Sequence, residues 1–142
     1  MKLARALVVA LLVLLFTVTP LNALILPGQF EVRFGTHAPG LTVRIDDRTG
    51  LVSGVAPAAP GPGIAPVVAN RGSDRRTLLV TLEGSSCDFL IELTFERAGA
   101  TFLITERTHT ASCGLGTGAE HVVALILRAP VDASSVKLES GG

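Results

Sequence analysis

The chain has 142 residues, 48% of them hydrophobic, with a mean hydropathy of +0.53 and twelve basic side chains against twelve acidic. Trp and Tyr are absent and Phe supplies the only aromatic rings, which argues against a sugar-binding platform or a base-stacking surface. With the first 23 residues set aside as an export signal, Lys2 and Arg5 go too; the remaining 119 residues carry a formal charge of −2, and no basic field is left to hold nucleic acid.

The N-terminus has the three parts of a secretory signal: two positive charges in Met1 to Arg5, an unbroken apolar run from Ala6 to Phe16, and a polar-leaning exit from Thr17 to Ala23 with a breaker at Pro20. Cleavage after Ala23 leaves a single domain over 24–142 in a secreted or periplasmic compartment. The alternative is an uncleaved N-terminal membrane anchor over Ala6 to Leu26, interrupted by Pro20 and Asn22. A membrane partner enters only in that case.

Beyond the signal, period-two alternation dominates. Phe30, Val32 and Phe34 alternate with Glu31 and Arg33, and Leu41, Val43 and Ile45 alternate with Thr42 and Arg44, which predicts half-buried strands. Asp46 to Gly50 then reads as a loop closing a hairpin onto Leu51 to Val55. Residues 56–66, APAAPGPGIAP, predict a connection rich in turn and extended conformations, with Pro57, Pro60, Gly61, Pro62 and Gly63 as candidate binding positions.

Val67 to Ala69, the turn at Asn70 to Asp74 and Thr77 to Leu82 predict a second hairpin. The Arg71, Arg75 and Arg76 cluster there reads as a solvated turn, or else as a docking point for an anionic partner. Cys87, Phe89, Ile91, Leu93 and Phe95 define the inner face of a third hairpin, with a turn predicted at Ala98-Gly99. That register sets Phe95 opposite Phe102 and Asp88 opposite His109, a candidate polar pair on the outer face.

Ser112 to Ala119 reads as a second flexible connection, with Gly114, Gly116 and Gly118 as further candidate binding positions. Its glycines lack the spacing of a phosphate loop. VVALIL at 122–127 suits a central strand buried on both faces, and Val136 and Leu138 suggest a last short strand. The pattern predicts an all-β fold, a two-sheet antiparallel sandwich of about 7–9 strands, immunoglobulin-like or similar, with a small closed barrel as the alternative.

Cys87 and Cys113 are the only cysteines, and in an exported chain a disulfide between them is the default. The predicted register leaves Cys113 three residues beyond the position opposite Cys87, so the bridge needs a bulge or, as the preferred reading, a curl at Ser112 to Gly114. His37, His109 and His121 show no metal-binding spacing, no serine sits in a nucleophile elbow, and no cofactor is implied. These readings point to an exported non-catalytic module that binds a protein or other extracytoplasmic partner through its loops. The alternatives are an inhibitor of an extracellular hydrolase acting through the Pro-rich loop, and a small secreted enzyme with a histidine–carboxylate site.

Overall fold

The computed structural model describes residues 28–35, 40–59, 67–114 and 116–141. The signal segment, His37, Leu115 and the part of the Pro-rich stretch that includes Pro60, Gly61, Pro62 and Gly63 lie outside the described residues. Nine strands form among the described residues: β1 (Gln29–Phe34), β2 (Leu41–Asp47), β3 (Val52–Ala58), β4 (Val68–Asn70), β5 (Thr77–Ser85), β6 (Asp88–Ala98), β7 (Thr101–Thr110), β8 (Gly118–Leu127) and β9 (Val136–Ser140). The one helical element among the described residues is a 3-10 turn, Ala133–Ser135.

Two sheets pack face to face, one ordered β1-β2-β6-β7-β9 and the other β3-β8-β5-β4, so the predicted all-β sandwich is the fold, and neither sheet closes into a barrel. Val43, Ile45, Ile91, Leu93, Phe95 and Ile104 project inward from the five-stranded sheet. They meet Val52, Leu78, Val80, Leu82, Val123 and Leu125 from the four-stranded one. Alternation produces this core, because every second residue of a strand faces the same side.

The strand directions depart from a purely antiparallel arrangement. β2 pairs with β6 and β7 pairs with β9 in parallel, while the remaining pairs are antiparallel. In both cases the chain leaves the sheet between the paired strands: β8 lies in the other sheet, and the Asp46–Gly50 segment carries the chain after β2 from one sheet to the other and so closes no hairpin. Asp47, 6% exposed, accepts hydrogen bonds from the Thr49 N–H and hydroxyl (2.9 and 2.6 Å) and from the Val52 N–H (2.9 Å). That carboxylate satisfies the backbone donors that a ladder would otherwise have used.

The β4–β5 and β6–β7 hairpins form as the alternation predicts. The second turns one residue later than expected, which shifts each cross-strand partner by two: Ala98 pairs with Thr101, and Gly99-Ala100 is the turn. Gly99 adopts φ +67° while Ala100 has no positive φ, the combination of a type II′ turn, which wants glycine first. A two-residue slip preserves the faces, so Phe95 stays buried but pairs with Ile104, and Phe102 lies opposite Arg97. The Phe95 and Phe102 rings still touch, with centroids 5.5 Å apart.

β8 is the central strand expected of VVALIL, flanked by β3 and β5, with Val122–Leu125 and Leu127 buried and Ile126 44% exposed. β3 extends further into the Pro-rich stretch than predicted, with Pro57 paired to Val123. An edge strand tolerates a proline because one side of its backbone needs no ladder donor.

Candidate functional site

Topology divides the loops between the two ends of the sandwich. One end carries the β2–β3, β4–β5, β6–β7 and β8–β9 connections and the entry into β1. The other carries the β5–β6 turn, the β7–β8 connection and the C-terminal end of β3.

At this second end the chain crosses between sheets through Ser86-Cys87. Asp88 makes that turn possible: its Oδ2 accepts the Ser85 N–H at 2.6 Å, and its Oδ1 accepts the Thr110 hydroxyl at 2.6 Å. The Cys87 N–H donates to Ser85 Oγ at 3.1 Å. A side chain at Gly84 would collide with the Asp88 carboxylate, so glycine is required there. Asp88 is consequently buried, 5% exposed, with its acceptor capacity committed to the turn.

This commitment breaks the strand's alternation. Asp88 pairs with Thr110 while Leu90 pairs with His109, which leaves Phe89 as the extra residue of a β-bulge. Phe89, expected on the inner face, instead points outward and is 42% exposed. The predicted Asp88–His109 pair does not form. His109 stands opposite Leu90, its ring centroid lies 6.2 Å from that of Phe89, and its Nε2 donates to Glu92 Oε2 at 2.8 Å. Glu92 shares the outer face with His109, whereas the bulge has turned Asp88 inward.

Cys87 and Cys113 are joined, with Cα atoms 5.7 Å apart. Both routes weighed from sequence contribute. The bulge brings Cys87 level with Ala111, whose N–H donates to the Cys87 carbonyl at 2.9 Å, and beyond Thr110 the chain leaves the strand, with φ +70° at Gly114. The β7–β8 connection is pinned further by the Ser86 N–H to the Thr117 carbonyl (2.8 Å) and the Thr117 N–H to Ser86 Oγ (3.1 Å). A side chain at Gly116 would run into Ser85 Oγ and Cys87 Sγ, so this glycine marks close packing of the connection on the turn. Gly118 opens β8 opposite Ser85 and has open space around it. A segment that looks flexible by composition is therefore tied down at several points.

From Glu92 a row of alternating charge crosses the outer face of the five-stranded sheet: Glu31, Arg44, Glu92 and Arg107 occupy directly opposed positions on β1, β2, β6 and β7. The row lines a shallow depression of about 880 Å³ that also includes Gln29, Asp46, Thr94 and Thr105. Glu31 is held below the ordinary carboxylate range, chiefly by its hydrogen bond from Arg33, with Arg44 assisting. Arg107 makes no ion pair among the described residues.

The two histidines among the described residues, His109 and His121, do not converge. His121 lies on the inner side of β8 with its ring 5.2 Å from that of Phe34, across the sandwich from the outer-facing His109. Among the described residues no three His, Cys, Asp or Glu side chains gather as a metal-binding group. Near the same open end, burial pushes the Glu106 carboxyl up from its ordinary value, reinforced by the Asp88 and Glu83 carboxylates and opposed by a hydrogen bond from Thr108. The site residues missed from sequence are Phe89, Glu92 and Arg107. The one signal for them was the acidic Asp88 at a strand start beside Ser85 and Ser86, a composition suited to a side-chain-capped turn. Comparison with family models, with curated proteins and with solved structures found no match for this chain.

Proposed function

We propose that this chain is an exported, non-catalytic binding module, and that its partner, a protein or peptide, docks on the face formed by Phe89, His109 and the adjoining 111–117 connection. The observation that carries the reading is the exposed Phe89. An apolar ring held outward by a bulge, backed by a histidine and flanked by a disulfide, loses little conformational freedom on contact, and preorganised aromatic anchors carry a large share of binding energy. The neighbouring Glu92–Arg107 row supplies polar contacts of both signs around it, the usual surround of such an anchor. The formed disulfide supports a compartment outside the reducing cytosol.

Photo-crosslinking tests the reading. A p-benzoylphenylalanine placed at position 89 should form a defined adduct in the exported fraction, and Phe89→Ala should weaken capture of that same partner at least about tenfold, the range of an interface anchor. Unchanged capture by Phe89→Ala would refute the assignment. The Glu92–His109 contact favours one rival, a histidine-dependent hydrolase. A turnover abolished by His109→Gln and untouched by Phe89→Ala would establish that rival instead.

A further inference from the structure

The opposite end of the sandwich carries a different chemistry. Between Gly28 and Gly141 there are ten basic and twelve acidic side chains. Seven of the ten basic ones belong to the end that holds the β2–β3, β4–β5, β6–β7 and β8–β9 connections: Arg48, Arg71, Arg75, Arg76, Arg97, Arg128 and Lys137. Only five of the twelve acidic residues are there, and one of these, Asp47, is buried. The domain is thus polarised, with net positive charge at one end and net negative charge over the rest.

Besides Arg97, which lies over the Phe102 ring, three of these arginines are exposed and make no ion pair among the described residues: Arg71 and Arg76 on the β4–β5 connection and Arg128 just beyond β8. The backbone brings them together, since the Leu127 N–H donates to the Arg76 carbonyl at 2.8 Å and the Arg71 N–H to the Thr77 carbonyl at 2.9 Å. Between them Arg75 adopts φ +56°, a conformation unfavourable for a residue with a side chain. It is held there by the Val131 N–H on its carbonyl (2.9 Å) and by its guanidinium on Asp132 (3.2 Å).

The chain also enters the domain here. β1 starts at this same end: Gln29 pairs with Asp46, and the Asp47 N–H donates to the Gly28 carbonyl at 2.7 Å. The 27 residues that precede Gly28, including the apolar run Ala6–Phe16, are therefore attached at the arginine-bearing end. We infer that this end is a membrane-facing surface, with Arg71, Arg76 and Arg128 apposed to the anionic headgroups of the bilayer across which the export signal directs the chain, a contact that does not depend on the signal's being retained. Charge complementarity and the point of attachment agree on this orientation. It directs Phe89, at the far end, away from the membrane, so the two surfaces work independently.

Among the described residues every strand, the core and the disulfide lie between Gln29 and Ser140, so a chain beginning at Leu24 keeps that framework and can be tested without the apolar run. Sedimentation with vesicles of phosphatidylcholine alone and of phosphatidylcholine mixed with phosphatidylglycerol is the measurement. Binding should appear only with the anionic vesicles and fade as salt is raised, because exposed charges are screened over about 8 Å at physiological ionic strength. The triple variant Arg71→Gln, Arg76→Gln, Arg128→Gln should lower partitioning by about a hundredfold and each single variant by several-fold, while Arg33→Gln at the far end leaves it unchanged. The single variants, checked for an unchanged unfolding midpoint, keep the test valid if the triple one folds poorly. Equal partitioning to neutral and anionic vesicles, or no loss in the arginine variants, would overturn the inference. So would equally tight binding of inorganic phosphate, which would indicate a small-anion site. None of these results bears on Phe89.

Discussion

Replacing Phe95 by alanine probes the part of the architecture on which both surfaces depend. The side chain is fully buried, pairs across the hairpin with Ile104 and touches the Phe102 ring at 5.5 Å. Removing the phenyl group from an apolar interior forfeits about 2–3 kcal/mol of transfer free energy. A cavity of about 100 Å³ that closes only partly adds roughly 1–2 kcal/mol at about 24 cal/mol per Å³. The expected cost is about 3–5 kcal/mol, a large share of the stability of a domain this size. Glu96, its neighbour on the outer face, has a side chain 35% exposed and a 3.5 Å contact to Arg48, so Glu96→Ala should cost under about 0.5 kcal/mol. Phe102→Ala should fall between them, since that ring is half-buried and covered by the Arg97 guanidinium 5.0 Å above it. Urea midpoints at unchanged denaturant slope give all three values. Equal costs for Phe95→Ala and Glu96→Ala would mean that the two faces of β6 have been assigned wrongly.

Four further outcomes are expected. Asp88→Ala leaves the Ser85 N–H and the Thr110 hydroxyl without their acceptor, and should cost about 2–4 kcal/mol by chemical denaturation. Replacing Cys87 and Cys113 together by alanine should lower stability by about 3 kcal/mol for a bridge spanning 26 positions, and non-reducing peptide mapping of the native chain should recover the linked peptides. The raised pKa of Glu106 means that the folded state holds its proton more tightly than the unfolded chain. Its stabilising contribution is therefore full below the ordinary value of 4.5 and is lost as pH climbs through the raised one, so Glu106→Gln should gain on the wild type in denaturant midpoints as pH rises above 4.5. Mass spectrometry of the exported product should find Leu24 at its N-terminus, and a retained Met1 on a membrane-bound product would replace secretion by anchoring.

The strands were legible because their alternation is a local property: Leu41, Val43 and Ile45 announce an inner face whatever they pair with. Partners are not local. The Asp46–Gly50 segment has the composition of a hairpin turn, and only the capture of Thr49 and Val52 donors by Asp47 shows that it steps between sheets. The register of β6 on β7 slipped by two against apolar pairing, which favours a turn at Ala98-Gly99: the observed register sets Leu93 opposite Glu106 and Phe102 opposite Arg97, and the positive φ of Gly99 suits the first position of a Gly99-Ala100 turn. Phe89 escaped for a sharper reason. Strict alternation has no place for an inserted residue, so the pattern of Cys87, Phe89 and Ile91 puts Phe89 on the inner face and the bulge turns it out. The disulfide was legible from cysteine count and compartment, yet its geometry depended on that same bulge.

The parallel pairing of β2 with β6 also sets an order of events. Thr42 meets Leu90, 48 positions later, with the whole of β3, β4 and β5 between them. The β4–β5 and β6–β7 hairpins close over short turns and can form as soon as their own residues are free, but β2 has to wait for a strand from the second half of the chain. Closing so long a separation is entropically costly before any contact rewards it, which favours slow, late assembly of the five-stranded sheet. Until then one side of β2 is an open edge. Its outward residues Thr42, Arg44 and Asp46 are polar or charged, and charge on an open edge discourages pairing with another unfolded copy. The outer face of this sheet thus disfavours self-association while the chain is still folding.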